Sequence, residues 1–308
     1  MAQIYVVGHK NPDNDSIMAA YTFAYLKNTL DQENEYIPVR LGELPAESAM
    51  LFEEYGKNAP ALIERVSEGD KVILVDHNER GQAIDGLEDA EIVEIIDHHR
   101  IADITTASPI TFLNMPWGST TSIITMLFDH YSIEIETDIA AFLLSAILTD
   151  TVILKSPTAT EKDRRHVEKL SKILDIDATE FGMKIFKSRG GDDDVSVEDI
   201  CNRDSKEFNF GGKKCWIAQY ETVDLESLRA RTNEIAEEVA KIQASGAFDA
   251  ALMLLTDIIV EGSDFIAAGD TDFIADAFGI SFADGPVWMP GVLSRKKQVA
   301  ARLIDFSE

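Results

Sequence analysis

Short apolar runs alternate with amphipathic stretches along the first half of the chain. Residues 3–7 (QIYVV) suit a buried strand, and a helical pattern follows a loop and runs from about Ser16 to Leu30. Residues 36–40 predict a second strand and 45–56 a second helix. VILV at 72–75 and EIVEII at 91–96 add two more strands, the latter rich in β-branched residues. Strands that read as apolar runs separated by helices indicate an α/β fold, a mostly parallel sheet flanked by helices on both faces. Helical patterns follow at 119–131, 137–149 and 161–174, the first with Ser119 or Thr120 as its N-cap.

The pattern then breaks. SRGGDDD at 188–194 holds two glycines and a block of acid with no apolar residue, as a linker does. Beyond it we expect a helix near 196–202, strands near 206–210 and 214–220, and one long helix over 224–245. Strands at 250–255 and 264–268, a helix at 271–278, and terminal strands around GVLS and VAARLI complete the reading. With 308 residues, two domains fit ordinary domain sizes. Residues 1–188 form the first, 189–195 a hinge linker, and 196–308 a smaller C-terminal α/β domain.

The net charge of −27 narrows the partners. Nucleic acid and acidic membranes would be repelled, so neither is expected as a partner. An anionic substrate would need a local positive focus, either bound cations or clustered Lys and Arg. No stretch approaches the roughly 18 apolar residues of a membrane span. The first residues, MAQIYVVGHKNPDND, lack the layout of a signal peptide, so the cytoplasm is the expected location. Cys201 and Cys215 fit neither zinc nor redox spacing and read as two reduced thiols.

Three predicted strands end on residues able to ligate a metal. GHKNPDND supplies His9, Asp13 and Asp15; VILVDHNE supplies Asp76 and His77; EIIDHHR supplies Asp97, His98 and His99. The apolar helix LLSAILTDT ends at Asp150. In an open parallel sheet the carboxyl ends of the strands line one crevice, so these distant segments can converge. Imidazole and carboxylate without thiolate favour a divalent ion such as Mn²⁺ or Co²⁺. The supply exceeds one site, and two ions sharing a ligand can clamp the attacking and leaving oxygens of a phosphoryl displacement. Taken singly each segment also reads as a turn or an exposed loop, NPDND as a helix-capping turn among them. Four of the six histidines falling at strand ends is what points to a site, whereas His130 and His166 read as surface residues.

SRKKQ at 294–298 is the other unusual feature, three consecutive basic residues in a strongly acidic chain. Bracketed by the apolar stretches GVL and VAARLI, it reads as a phosphate clamp at the mouth of a core element. Arg suits bidentate phosphate recognition and Lys supplies a compact charge.

GHKNPDNDS, VDHNE, DHHR and TDT, in this order and spacing, resemble the DHH phosphoesterase superfamily. With SRKKQ added, the chain resembles a family II, manganese-dependent inorganic pyrophosphatase over essentially its whole length, a DHH domain followed by a DHHA2-type domain. The resemblance implies two Mn²⁺ ions, one held by His9, Asp13 and Asp76. The other would be held by Asp15, Asp76, His98 and Asp150, with Asp76 bridging. It implies that His99 contacts phosphate, that Asp97 orients its neighbours, and that Lys206, Arg295 and Lys296 bind pyrophosphate. The expected reaction is hydrolysis of pyrophosphate to two phosphates by a metal-bridging hydroxide. Substrate would be clamped between the domains with an additional Mg²⁺ or Mn²⁺. A homodimer through the N-terminal domain is also implied. The span between DHHR and TDT is too short for a regulatory CBS insert.

Other readings remain open at this point. A DHH exopolyphosphatase shares the same logic, although the compact length favours the smaller substrate. A DHH exonuclease would carry a histidine beside a glycine-rich motif, but GGKK at 211–214 has none and no histidine follows His166. A metal-responsive binding protein with a degenerate site would lack ligands, and every matched position is intact.

Overall fold

The computed structural model describes residues 2–189 and 195–307, and the chain divides into two compact units, Met1–Arg189 and Gly190–Glu308. Residues 190–194, most of the expected hinge, lie outside the described residues.

The first unit is built on β1 (Ala2–Lys10), β2 (Asn34–Leu41), β3 (Ala61–Leu62), β4 (Lys71–Val75), β5 (Glu91–Asp97) and β6 (Thr111–Asn114). They lie in the order β3-β2-β1-β4-β5-β6, and every pairing is parallel. This is the doubly wound order: the chain moves outward from β1 in one direction, then returns to β4 and proceeds in the other. The crevice at the carboxyl ends of β1 and β4 is therefore the topological switch point where such sheets bind ligands. The central strands are buried on both faces, with Val6, Val7 and Val72 to Val75 inaccessible to solvent, as their unbroken apolar runs require.

The helices are α1 (Asn14–Leu30), α2 (Ala46–Glu54), α3 (Thr120–His130), α4 (Thr137–Asp150), α5 (Glu161–Leu174) and α6 (Ala178–Ser188). Residues 139–149 of α4 are all buried, so this helix is apolar on every side and runs through the interior. Ser119 caps α3, its side chain accepting from the amide of Thr121 at 3.1 Å. Helix α6 was not expected, because its stripe of Phe181, Ile185 and Phe186 spans only three turns and is interrupted by Gly182. Strand β6 was missed as well, being short, partly exposed and at the sheet edge.

The second unit holds α7 (Val197–Asn202), β7 (Ser205–Phe210), β8 (Lys213–Thr222), α8 (Leu225–Ala230), α9 (Thr232–Ser245), β9 (Ala250–Asp257) and β10 (Gly262–Gly269). It continues with α10 (Thr271–Phe278), β11 (Val287–Pro290), a π-helical turn over Arg295–Ala300 and α11 (Ala301–Ser307). Its sheet runs β11-β10-β9-β8-β7, parallel only between β8 and β9. The long helix expected over 224–245 is broken at Arg231, whose guanidinium donates to the carbonyl of Val195 at 2.7 Å.

The end of the chain corrects the strand reading. β11 stops before Gly291, which takes a left-handed φ of 75°, so GVLS forms a turn. VAARLI is helical: Val299, Ala300 and Leu303 bury one face at helical spacing, and the Lys, Gln, Ala and Arg around them are strong helix formers. No helix of the described residues is long and apolar enough to cross a membrane.

Candidate metal centre

His9 stands near the end of β1, Asp76 follows β4 directly, Asp97 closes β5, and Asp150 is the last residue of α4. Between them these elements surround the switch point. Gly8 lets the start of α1 approach: a Cβ there would lie 1.9 Å from Ser16 Oγ, which instead accepts from the His9 amide at 2.9 Å. Asp13 caps α1, taking the Ser16 amide on Oδ1 at 2.9 Å and leaving Oδ2 3.6 Å from His9 Nε2. The helix-capping and ligand readings of NPDND therefore hold together in one residue.

Asp76 lies at the centre. His9 Nε2 is 3.4 Å from its Oδ2, and His98 Nε2 is 3.4 Å from its Oδ1 and 3.6 Å from Asp150 Oδ2. Three sets of donor atoms each gather within 4.8 Å: His9, Asp13 and Asp76; Asp15, Asp76, His98 and Asp150; and Asp76, His98 and His99. Each imidazole is oriented by a backbone carbonyl, His9 Nδ1 by Lys10 at 2.8 Å and His98 Nδ1 by Trp117 at 3.0 Å. Both rings therefore turn Nε2 inward. Asp76 Oδ2 and His98 Nε2 are buried without a hydrogen-bond partner. Buried polar atoms are nearly always paired, and one such orphan in each group, Oδ2 of Asp76 beside His9 and Nε2 of His98 beside Asp150, fits a cation.

The backbone is forced here. Asp76 adopts a left-handed φ of 61°, fixed by its amide bonding to Ile96 at 2.9 Å. After Asp150 the chain turns through φ values of 49°, 51° and 63° at Val152, Ile153 and Leu154, most costly for the β-branched Val152 and Ile153.

Electrostatics follow from four carboxylates meeting with little compensation. Burial would lower His9 and His98, but Asp13 and Asp76 raise His9 to about 11, and Asp76 and Asp15 raise His98 to about 10. Burial, then the charge of Asp76, pushes Asp15 up to about 7, and burial with Asp15 and Asp76 raises Asp150. Burial opposes ionisation of Asp76 too, yet the imidazoles of His9 and His98, each 3.4 Å away, win and hold it low.

Asp97 sits beneath the centre, fully buried. Its Oδ1 accepts from the amides of His98 and His99 at 2.8 and 3.0 Å and from His99 Nδ1 at 3.0 Å, and its Oδ2 takes Asn78 Nδ2. The bond to Asp97 raises His99, whose half-exposed ring stands between two clefts of about 330 and 640 Å³. His77 turns aside: it is buried, lowered by that burial, and donates from Nδ1 to the carbonyl of Val75 at 2.9 Å.

Two family models match the chain, the DHH family N-terminal domain over residues 3–147 and the DHHA2 domain over 183–306. The manganese-dependent inorganic pyrophosphatase of Methanothrix thermoacetophila is 42% identical across 96% of both chains. That of Bacillus subtilis is 38% identical across 99% of both. A crystal structure from Methanococcus jannaschii, assigned to family II inorganic pyrophosphatases, is 37% identical, covers 99% of both chains and superposes with a TM-score of 0.60. The chain belongs to the manganese-dependent, family II inorganic pyrophosphatases.

The basic residues that this family resemblance singles out lie in the second unit. Lys206, on β7, and Lys296 are exposed. Arg295 is mostly covered: it donates to Asp204 Oδ1 at 2.8 Å, and its Nε is buried and unpaired. Its amide donates to Gln219 Oε1 at 2.9 Å, and Gln298 Oε1 accepts the amides of Leu293 and Ser294, so two glutamines shape the turn. The run SRKKQ begins a helix capped by Ser294 and is not flanked by strands.

Sequence reasoning overlooked several residues of the pyrophosphatase site. Thr120 Oγ1 donates to Asp76 Oδ1 at 2.9 Å; Ser119, Thr120 and Thr121 together hold Asp15; Asn78 bonds Asp97 and the amide of Ala102. Asn14, between two expected ligands, reaches Ser145 at 3.1 Å and accepts from Ser48 at 2.9 Å. The run GSTTS at 118–122 was the available signal, since five small or hydroxylic residues at a helix start can bond carboxylates. His166 is also corrected: it is buried, its ring 5.7 Å from that of Trp117, because the buried face of α5 includes position 166.

Proposed function

We propose that this chain hydrolyses inorganic pyrophosphate to two phosphates, using divalent cations with manganese foremost. One observation carries the reading. Two donor groups meet at Asp76, with buried unpaired atoms facing them, in a chain whose full-length relatives are named manganese-dependent inorganic pyrophosphatases.

We assign His9, Asp13 and Asp76 to one ion and Asp15, Asp76, His98 and Asp150 to the other. Cobalt suits the same donors. When bound, such a pair supplies Lewis-acid charge and acidifies the attacking water. The chain's own groups do the positioning. Asp97 holds His99 through Nδ1 and favours the imidazolium, so that Nε2–H can donate to a phosphate oxygen. Thr120 and the carbonyls of Lys10 and Trp117 fix the ligand rings and carboxylates, keeping the nucleophile in line with phosphorus. We assign Lys206, Arg295 and Lys296 to binding of pyrophosphate oxygens, as the family resemblance implies. A further Mg²⁺ or Mn²⁺ carried with the substrate and a homodimer through the first unit belong to the same proposal and rest on the family resemblance, while a cytoplasmic location rests on the sequence pattern of the first residues.

The test is phosphate release with Mn²⁺ from pyrophosphate, long-chain polyphosphate and a dinucleotide. Pyrophosphate should be cleaved fastest and the dinucleotide left intact. Faster turnover of polyphosphate would move the chain to the exopolyphosphatases, and inactivity on all three would overturn the proposal.

A further inference from the structure

We propose that Asp163, a residue of α5 that bonds none of the assigned ligands, positions the group of Asp15, Asp76, His98 and Asp150 and no ligand peculiar to the group of His9 and Asp13. The inference rests on the two-group reading of the metal centre. Asp163 is fully buried, and its Oδ2 accepts from the Gly118 amide at 3.0 Å and from the amide and hydroxyl of Thr160 at 2.7 and 2.6 Å, while Oδ1 takes the Ser122 hydroxyl. The capping box of α5 accounts for the bonds to Thr160. It does not account for those to Gly118 and Ser122, which pin both ends of the segment 118–122.

That segment, with Trp117 before it, is the framework of one ligand group. Trp117 orients His98 through its carbonyl at 3.0 Å. Ser119 Oγ and the Thr120 amide each donate to Asp15 at 2.7 Å, and the Thr121 amide does so at 3.1 Å. Thr120 Oγ1 donates to Asp76 Oδ1, the oxygen that faces His98, whereas Oδ2 faces His9. His9 and Asp13 are held elsewhere, by Ser16 and the carbonyl of Lys10. The wedge has little slack: a Cβ on Gly118 would meet Thr151 Cγ2 at 2.5 Å and Asp163 Oδ2 at 2.9 Å. Losing the Asp163 anchor therefore frees three ligands of one group and none peculiar to the other.

Calorimetric titration of metal-stripped protein with Mn²⁺ tests this. Wild type should take up two tightly bound ions. Asp163→Ala should keep one and bind the other roughly 10–100-fold more weakly, the usual cost of removing an outer partner. Asp163→Asn should restore most of the loss, its amide oxygen still accepting from Gly118 and its NH₂ meeting the Ser122 hydroxyl. Adding His98→Gln to Asp163→Ala should cost little more, while adding His9→Gln should leave no tight ion. A merely structural role would lower the melting temperature without splitting the two affinities. Equal weakening of both ions, or two unaltered affinities in folded Asp163→Ala, overturns the inference. Should that variant fail to fold, Ser122→Ala decides in the same way. A wild type that binds no second tight ion would sink the two-group reading itself, a failure visible before any variant is made.

Discussion

Asp76 belongs to both donor groups assigned to cations, and Asp76→Asn isolates its charge. Asn tolerates the left-handed φ of 61° and keeps an oxygen for the Thr120 hydroxyl, so backbone and shape survive. What disappears is one negative charge placed 3.4 Å from both His9 Nε2 and His98 Nε2, between the two groups. A unit charge pair about 4 Å apart is worth roughly 4 kcal/mol at an effective dielectric of about 20, equivalent to about a thousandfold in affinity. Each ion loses such a contact, so Mn²⁺ titration should show both sites weakened together by about that factor. Pyrophosphate hydrolysis at micromolar Mn²⁺ should vanish in parallel. Asp76→Ala should do the same with added backbone strain. If Asp76→Asn bound two ions with wild-type affinity, or lost only one of them, Asp76 would not be the shared ligand.

Other variants separate the remaining roles. Lys296→Ala should leave Mn²⁺ binding intact while raising KM for pyrophosphate about tenfold, the loss of one charge-assisted contact; unchanged kinetics would make SRKKQ an ordinary solvated helix start. In metal-stripped protein His9 and His98, raised to about 11 and about 10, are protonated near neutral pH, so ion uptake must expel protons. Mn²⁺ affinity should therefore fall as pH is lowered, with proton release seen by calorimetry in two buffers of different ionisation heat; a pH-independent affinity would contradict the electrostatics described. Phe142, fully buried and in ring contact with Tyr21, Phe52 and Tyr55, anchors α4 behind Asp150. Phe142→Ala should cost about 3–5 kcal/mol in denaturant unfolding, and a cost below 1 kcal/mol would show that the site collapses around the loss.

The expected ligands were legible because each ends an apolar run or lies in the loop that follows one, where the alternation of strand and helix already implies a common crevice. The register of β1, β4 and β5 then carries His9, Asp76 and Asp97 to neighbouring strand ends. The supports were not legible. Asp163 sits in a helix that reads as an ordinary capped amphipath, and its reach to Gly118 depends on the packing of α5 near α3. Asn78 and Thr120 carry no signal of their own, since Asn in a loop and Thr at a helix start are commonplace. The end of the chain misled for a different reason: VAARLI is short enough that apolar content suits either period, and only the burial of Val299 and Leu303 decides for the helix. Secondary-structure type was thus readable where a run was long and two-sided, and ambiguous where one turn of helix and one short strand have the same composition.

The proposed chemistry depends on two cations flanking one carboxylate. Anomalous diffraction at the manganese edge from Mn²⁺-soaked crystals measures this directly. Two peaks about 3.5–4 Å apart are predicted, one beside His9 and Asp13 and the other beside Asp15, His98 and Asp150, with Asp76 in contact with both. A single peak, or two ions that do not share Asp76, would contradict it.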